Sequence, residues 1–249
     1  MSTDRLLDQV FDAHGGAALW RRCRLIEATL SSGGLAFASR LQWGSLLDRK
    51  IRLDPHARHL KVEPYPKRGF VGIWTPNLVR ITNLSGDVAR ERVEPRSAFA
   101  KLAKLIRWDA LDMLYFAGYA LWNYLTFPFL LAEPGVEVRP TIGGPETISG
   151  CVTLRATFPA VFPTHSREQS FHVYRESLLL HRHDYVADVI GTWASAANLC
   201  LASETVAGLR FYTRRRVYPR LGARLVPPLP TLVWIELSEI KLEFVEARR

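Results

Sequence analysis

A segment with eight aromatic side chains in 24 residues, residues 108–131, constrains this chain more than any other feature. Aromatic side chains bury the largest apolar areas, so such a segment must lie inside a core, line an apolar cavity or contact a membrane. Four of the eight follow one another at intervals of seven, four and three residues, which is a helical stripe. We interpret this stripe as core or as the ceiling of a ligand cavity; its members are Trp108, Tyr115, Tyr119 and Trp122.

Three further residues complete the ligand-binding candidates of this segment. Phe116 and Phe127 add apolar area, and Asn123 lies near the stripe as the best candidate for a polar contact to a guest. A transmembrane helix is disfavoured because Asp109 and Asp112 lie in the segment, and a charge inside a bilayer costs about 2.5–3.5 kcal/mol.

Apolar and polar residues alternate through most of the remaining chain, which is typical of half-buried strands. After a helical N-terminus over residues 3–22, we predict strands within residues 25–93, one of them over residues 35–43, and again within residues 135–245. Helices over residues 96–131 separate the two sets. In the last predicted strand the apolar residues occupy odd positions up to Leu237 and even positions from Ile240. This shift of the alternation around Ser238 predicts a β-bulge there.

The short turns between these strands predict antiparallel neighbours. A long twisted sheet curls, and the inserted helices, here called the lid segment (residues 96–131), are the natural cover for its apolar face. We therefore predict a single α+β domain over residues 1–249: a large curled antiparallel sheet covered by mid-chain helices. A ligand would bind between the sheet and the lid segment, because ligands commonly occupy such concavities.

The composition limits the partners and the compartment. The net charge of +9 permits anionic partners, but no nucleic-acid motif accompanies the basic cluster Arg214-Arg215-Arg216. On a strand Arg214 and Arg216 share a face, and both join the ligand-binding candidates. Three distant cysteines form no metal spacing, so we expect no metal and no cofactor. The N-terminal residues lack the pattern of an export signal, so we expect a cytoplasmic location.

Two polar segments supply candidates for chemistry. His165 lies in a loop-like segment, and residues 181–185 place five polar or ionisable side chains in a predicted strand. Imidazole titrates near neutral pH, so His183 or His165 could act as a general acid or base. Asp184 or Tyr185 could orient or assist it.

Two other interpretations stay open for these segments. Asp184 or Asp188 could pair with Arg214 or Arg216 of a neighbouring strand across a solvated sheet face. Alternatively, His165, His181 and His183 could converge on a metal ion, although no cysteine or clear carboxylate ligand accompanies them.

The order of elements resembles a known fold. An N-terminal helix leads into a meander, followed by "NLVRITNLSGDVARER", "FHVYRESLLLHRHDYVADV" and a closing "LVWIELSEIKLEF". This pattern is similar to that of the lipoprotein carriers LolA and LolB. The resemblance implies a half-open antiparallel barrel, here of about 10–11 strands, with a helical lid over a hydrophobic cavity.

A narrower resemblance rests on four stretches, "WDALDMLYFAGYALWNYLTFPFLL", "FPTHSREQSFHVY", "LHRHDY" and "TRRRV". Together they look like an uncharacterised family of bacterial, largely actinobacterial, proteins. That resemblance implies no known activity.

Three functions follow as hypotheses. The first is a cytoplasmic protein that binds a hydrophobic small molecule of lipid, acyl, polyketide or isoprenoid type. The second is an enzyme that uses the same cavity for acid/base cyclisation, isomerisation or hydrolysis, since holding a flexible chain in a reactive conformation itself lowers a barrier. The third is a peripheral protein whose basic lid residues contact an anionic membrane to collect a lipid. The sequence does not predict an oligomeric state.

Overall fold

A computed structural model describes residues 3–143, 147–222 and 225–245. Within them the chain forms four α-helices, three 3₁₀ helices and thirteen strands. The helices are α1 (Thr3–Ala13), α2 (Ala17–Arg22), α3 (Leu35–Ala38) and α4 (Ala110–Thr126), with 3₁₀ turns at Pro95–Ala100, Leu102–Leu105 and Phe129–Ala132.

The strands fall on both sides of the lid segment. Six precede it: β1 (Cys23–Gly33), β2 (Leu46–Asp54), β3 (His59–Glu63), β4 (Phe70–Thr75), β5 (Leu78–Asn83) and β6 (Val88–Val93). Seven follow it: β7 (Glu137–Thr141), β8 (Cys151–Thr157), β9 (Glu168–Tyr174), β10 (Leu180–Val186), β11 (Ser195–Val206), β12 (Leu209–Pro219) and β13 (Val233–Phe244).

The chain divides into two compact units. The first unit comprises Met1–Arg21 and Thr126–Leu232, and the second comprises Arg22–Leu125 and Val233–Arg249. In the first unit the strands lie in the order β12-β11-β10-β9-β8-β7, and in the second in the order β6-β5-β4-β3-β2-β1-β13. The described pairings inside both units are antiparallel, as the short connections predict.

Helix α4 fills the core of the second unit. Its residues from Leu111 onward are buried on every side of the helix, which is the arrangement expected of a helix that is apolar all round. Two glycines allow it to approach the sheet closely. A Cβ on Gly118 would lie 2.1 Å from Cγ of Trp74, and one on Gly72 would lie 2.9 Å from Cδ1 of Leu114.

The side chain of Asp109 caps this helix. Oδ1 of Asp109 accepts hydrogen bonds from the backbone N–H groups of Leu111 and Asp112, at 2.9 and 3.0 Å. Oδ2 of Asp112 accepts the backbone N–H of Asp109 at 2.8 Å. This reciprocal pattern is a capping box, and it satisfies donors that the first helical turn leaves open.

The core of the first unit is built around an aromatic cluster. Phe129 stacks between Phe11 of α1, at a centroid distance of 5.6 Å, and Trp20 of α2, at 4.6 Å. His14 follows α1, and its Nδ1 donates to the carbonyl oxygen of Val10 at 2.7 Å while its Nε2 accepts the Tyr212 hydroxyl at 2.8 Å. These contacts tie the N-terminal helices to β12.

The structure corrects two sequence predictions and extends a third. Residues 35–43 do not form a strand: Leu35–Ala38 is a short helix that follows Gly34 at φ +128°. The first part of the predicted helices over residues 96–131 is two 3₁₀ turns rather than an α-helix. Thirteen strands form within the described residues, against the expected 10–11.

The predicted bulge near Ser238 is confirmed. On β1, Thr29 pairs with Ser238 and Glu27 pairs with Lys241, so two residues of β13 lie opposite one of β1. Glu239, inside the bulge, has φ +54°. In the part of the chain that the structure describes, no helix is long and apolar enough to cross a membrane.

Candidate functional site

The start of α4 is held by a charged cluster in the second unit. Arg92 on β6 donates to Oδ1 of Asp112 at 2.6 Å and to Oδ2 of Asp109 at 2.7 Å. Lys104 donates to Oδ2 of Asp112, whose side chain is fully buried. Burial works to raise the pKa of Asp109, but hydrogen bonds from Arg92 and the Asp112 backbone, with the charges of Arg92 and Lys104, lower it to about 2. Both carboxylates also lie at the positive end of the helix dipole.

The aromatic candidates of α4 are buried and contact one another. Phe116 lies 5.2 Å from Trp108 and 5.5 Å from Tyr119, and Tyr115 lies 5.4 Å from Tyr119, between ring centroids. Trp122 is fully buried, and its indole N–H donates to the carbonyl oxygen of Pro55 at 2.8 Å. The four stripe residues are therefore buried core residues in this structure, and Trp108, Tyr115 and Tyr119 are linked through Phe116 and one another.

Two polar groups of this core are turned to the backbone. The amide of Asn123 donates to the carbonyl oxygen of Tyr119, one helical turn earlier, at 2.7 Å. The indole N–H of Trp108 donates to the carbonyl oxygen of Lys104 at 2.8 Å. A guest that used the Asn123 amide as a donor would have to compete with this intrahelical bond.

The candidate histidines of the first unit lie in an aromatic cluster that includes Phe127 of the same unit. Phe127 stacks on Phe171 of β9 at a centroid distance of 5.1 Å, and Phe171 stacks on His183 of β10 at 4.1 Å. His165 is buried and stacks on Tyr185 at 3.8 Å. The structure thus brings three of the four candidate acid/base residues together in one buried aromatic cluster.

The hydrogen bonding of His183 is that of a neutral, fixed ring. Its Nε2 donates to Oε1 of Gln169 at 2.6 Å, and the Gln169 amide donates to the hydroxyl of Thr164 and to the carbonyl oxygen of Ser166. Burial, followed by the charges of His165, Arg215 and His172, places the pKa of His183 well below its usual range. A ring that stays neutral at physiological pH is a poor proton donor, and this network orients it as a packing group.

Asp184, the fourth candidate, belongs to a separate network with residues that sequence reasoning missed. Its Oδ2 accepts Nε2 of His172 at 3.1 Å and Nη2 of Arg182 at 2.7 Å. On the other side of the ring, Nδ1 of His172 is 2.9 Å from the Thr153 hydroxyl. The three strands β8, β9 and β10 align this chain, since Thr153 and Arg182 are both register partners of His172.

A signal for this network exists in the sequence. His172 alternates with the apolar residues Phe171 and Val173 on β9, which is a polar position on the opposite face of a strand. Its partner Thr153 has the same parity on β8. The pairing of strands cannot be read from the parity alone, so the neighbours of Asp184 were not predicted.

The arginine cluster of β12 is divided between the two faces, with Arg215 as the buried member. Arg215 donates to Sγ of Cys200 at 3.2 Å and lies over the Tyr212 ring at 5.1 Å. Arg214 is exposed, and the half-buried Arg216 donates to the carbonyl oxygen of Arg215 at 2.9 Å. Asp184 pairs with Arg182 rather than with Arg214 or Arg216.

Pockets occur on both units. One of about 330 Å³ in the first unit is lined by Asp184, His172 and arginines, and one of about 690 Å³ in the second unit is lined by β1–β5 and β13. A third, of about 340 Å³, lies near Arg52 and His59. No α4 residue lines any of these three pockets. Among residues 3–143, 147–222 and 225–245, no group of three or more His, Cys, Asp or Glu side chains could hold a metal ion.

The sequence matches no protein-family model and no curated protein. Among solved structures, the chain is similar to a LolA superfamily protein from Nitrosomonas europaea, with a TM-score of 0.51 and 10% identity over 99% of this chain and 96% of that one. It is also similar to a putative outer membrane lipoprotein-sorting protein domain from Vibrio parahaemolyticus (TM-score 0.48, 8% identity, 96% and 91% covered). A DUF1329 family protein from Desulfovibrio piger gives a TM-score of 0.47 at 13% identity, with 96% and 92% covered.

The first of these likenesses shows the fold. The chain has the LolA-like α+β fold, with its antiparallel sheet and few helices, as the resemblance in the sequence implied. The narrower resemblance to actinobacterial proteins stays a prediction.

Proposed function

We propose that the protein binds a hydrophobic small molecule of lipid, acyl, polyketide or isoprenoid type on the sheet face that α4 covers in the second unit. The observation that carries this proposal is the burial of α4 on all sides against strands that are themselves apolar on that face. The LolA-like fold supports it, because in the LolA carriers that the sequence resembles this fold encloses a hydrophobic cavity.

A guest would replace α4 rather than lie beside it. Gly72 and Gly118 leave no room for one methyl group between helix and sheet. Moving the helix aside would uncover two apolar surfaces at once, and a guest that covers both recovers roughly 25 cal/mol for each Å² of apolar area. The ion pairs of Arg92 and Lys104 with Asp109 and Asp112 hold the start of α4 in place and oppose that movement.

The test is binding of a fluorescent fatty acid, cis-parinaric acid, with hydrogen exchange of residues 110–126 followed in parallel. We expect stoichiometric binding and faster exchange in α4 when the guest is bound. Asp112→Asn weakens the bonds from Arg92 and Lys104, so we expect about fivefold to tenfold tighter binding, which corresponds to about 1–1.4 kcal/mol.

Asp8→Asn is the matched control, since it makes the same charge change at an exposed position of α1. Binding that leaves α4 fully protected would place the guest elsewhere and contradict the proposal. A second outcome would also contradict it: neither the wild type nor Asp112→Asn binds the fatty acid, and solvent extraction of protein purified from its own host yields no apolar guest.

A second candidate function, docking on an anionic membrane, is favoured by the 3₁₀ turn before α4. Leu102 is 83% exposed and Ile106 is 71% exposed, although both side chains are large and apolar. Lys101 and Arg107 are exposed beside them, so apolar and basic side chains lie together as in interfacial anchors. We propose that this turn inserts into the surface of a bilayer rich in anionic lipid.

Flotation with vesicles of phosphatidylglycerol or of phosphatidylcholine tests this second candidate. We expect binding to the anionic vesicles, and its loss in the variant Leu102→Asp/Ile106→Asp. Val161→Asp is the control, because Val161 is 93% exposed at a distant position of the chain. Equal flotation of all three proteins, or none with either vesicle, would contradict membrane docking. The cytoplasmic location stays a prediction from the N-terminal residues.

A further inference from the structure

The pocket beside Asp184, in the first unit, has a polar wall with unused hydrogen-bonding capacity. Asp184 is 4% exposed. Its Oδ2 is bonded to His172 and Arg182, but its Oδ1 is buried and has no hydrogen-bond partner within the described residues. A buried carboxylate oxygen without a donor is costly. A molecule in the pocket would therefore bind best if it offered a proton to Oδ1.

Two arginines that contact the Asp184 carboxylate also carry donors without partners in the described chain. Nε of Arg220 is buried, 3.9 Å from Asp184 Oδ2, and has no hydrogen-bond partner among described residues. Its two other nitrogens donate to the carbonyl oxygen of Gly222 at 2.8 Å and to the hydroxyl of Ser195 at 3.0 Å, so the guanidinium group is fixed. Nε of Arg182 is also buried without a partner in the described chain.

The charge around the pocket favours an anion. Arg139, Arg155 and Arg220 line it, against the carboxylates of Glu168 and Asp184. Arg182 adds a further positive charge behind Asp184, at 2.7 Å. Guanidinium groups match the geometry of phosphate oxygens. The ligand must then be an anion that still carries a proton for Asp184.

We propose that this pocket binds a protonated phosphoryl group, with Asp184 Oδ1 accepting the phosphoryl hydroxyl and Arg220 Nε donating to a phosphoryl oxygen. Phosphate carries at least one proton at neutral pH, whereas sulfate carries none. Sulfate would present a bare oxygen to the buried carboxylate, which repels it. The site is independent of the apolar site under α4, because the described residues that line it belong to the first unit.

The experiment is isothermal titration calorimetry with inorganic phosphate and, separately, with sulfate at matched ionic strength. We expect phosphate to bind at least about tenfold more tightly than sulfate. Asp184→Asn replaces the acceptor by an amide that can donate, so it removes this preference and raises sulfate affinity. Since Asp184→Asn also loosens a buried network, Arg220→Ala is a second variant on the half-buried rim of the pocket, expected to weaken phosphate about tenfold.

Arg214→Ala is the control, because it removes the same charge from an exposed position of β12. Equal affinities for phosphate and sulfate, or equal losses in Arg214→Ala and Arg220→Ala, would show general attraction to a basic surface and overturn the proposal. No heat with either anion would also overturn it. A soluble short-chain phosphatidic acid separates two sources of the group: tighter binding than inorganic phosphate indicates a lipid headgroup, and equal binding indicates free phosphate.

Discussion

The backbone of Gly118 in α4 packs directly against the indole ring of Trp74 on β4. A Cβ on Gly118 would lie 2.1 Å from Cγ of that ring. Trp74 is fully buried and belongs to the sheet face that α4 covers. The contact explains why a residue that weakens helices stands in the middle of this one. It also gives the most direct test of the packing.

We predict that Gly118→Ala destabilises the protein. Alanine favours a helix by about 1 kcal/mol over glycine, but overpacking a filled core costs about 1–3 kcal/mol. Because the neighbour is the rigid part of a buried ring, we expect a net loss in the free energy of unfolding, measured by urea denaturation. In a Trp74→Ala background the same change should be neutral or stabilising. A gain in stability in the wild-type background would contradict the close packing.

The charged start of α4 predicts loss of stability in acid. The pKa of Asp109 is about 2 in the folded protein and about 4 in an unfolded chain. A carboxyl with a lowered pKa stabilises the fold above about pH 4, and this contribution disappears as the pH falls to about 2. Asp109→Asn keeps a good N-cap but should flatten that part of the curve of unfolding free energy against pH. Asp8→Asn should leave the curve unchanged; equal slopes in all three proteins would contradict the prediction.

His14 predicts a second pH dependence, at higher pH. Burial lowers the pKa of His14 to about 4, with the charge of Arg210 acting in the same direction and the bond to Val10 opposing it. The unfolded chain takes up the proton near pH 6.5, so stability is full above about 6.5 and falls by about 3 kcal/mol as the pH drops towards 4. Denaturant unfolding across this range should show a smaller slope in His14→Gln than in the wild type. The exposed His56→Gln is the control, and an unchanged slope in His14→Gln would refute the assignment.

We predict that substitution of His183 lowers the stability of the protein, because the ring is a packing group. Removing its ring in His183→Ala leaves Oε1 of Gln169 buried without its donor, which costs about 1–3 kcal/mol, and it also removes the stack on Phe171. His181→Ala, on the same strand with a half-buried ring, should cost much less. If His183→Ala folds with wild-type stability, the role in packing is wrong, and a search for turnover becomes the next step.

The arrangement of elements was within reach of the sequence because it depends on local patterns. Alternating residues predicted the strands, and a parity slip predicted the bulge at Ser238. The failure at residues 35–43 has the same origin. The alternation of apolar residues in this segment does not reflect a strand. Phe37 is buried in the short helix Leu35–Ala38, whereas Leu41 and Trp43, which follow that helix, are exposed.

The candidate site was predicted less completely, because its residues meet across strands. Sequence parity places His183 and Asp184 on opposite faces of β10, and the structure agrees with that separation. The partners of Asp184, however, come from β9, from its own strand and from the segment after β12. Arg182 lies two positions from Asp184 on the same face of β10, but His172 and Arg220 lie 12 and 36 positions away, and no local pattern connects them to it.

The sequence by itself determined that this chain forms an antiparallel α+β fold with an aromatic helix inserted between two sets of strands, since periodicity, turns and caps act over a few residues. Tertiary structure decided what the helix and the polar strand do. Close packing at Gly118 makes the aromatic stripe a filled core in this structure. The pairing of β9 with β10 adds His172 to Arg182 on one oxygen of Asp184, while the other oxygen has no partner among the described residues. Those outcomes depend on long-range register and on burial, which a linear pattern does not encode.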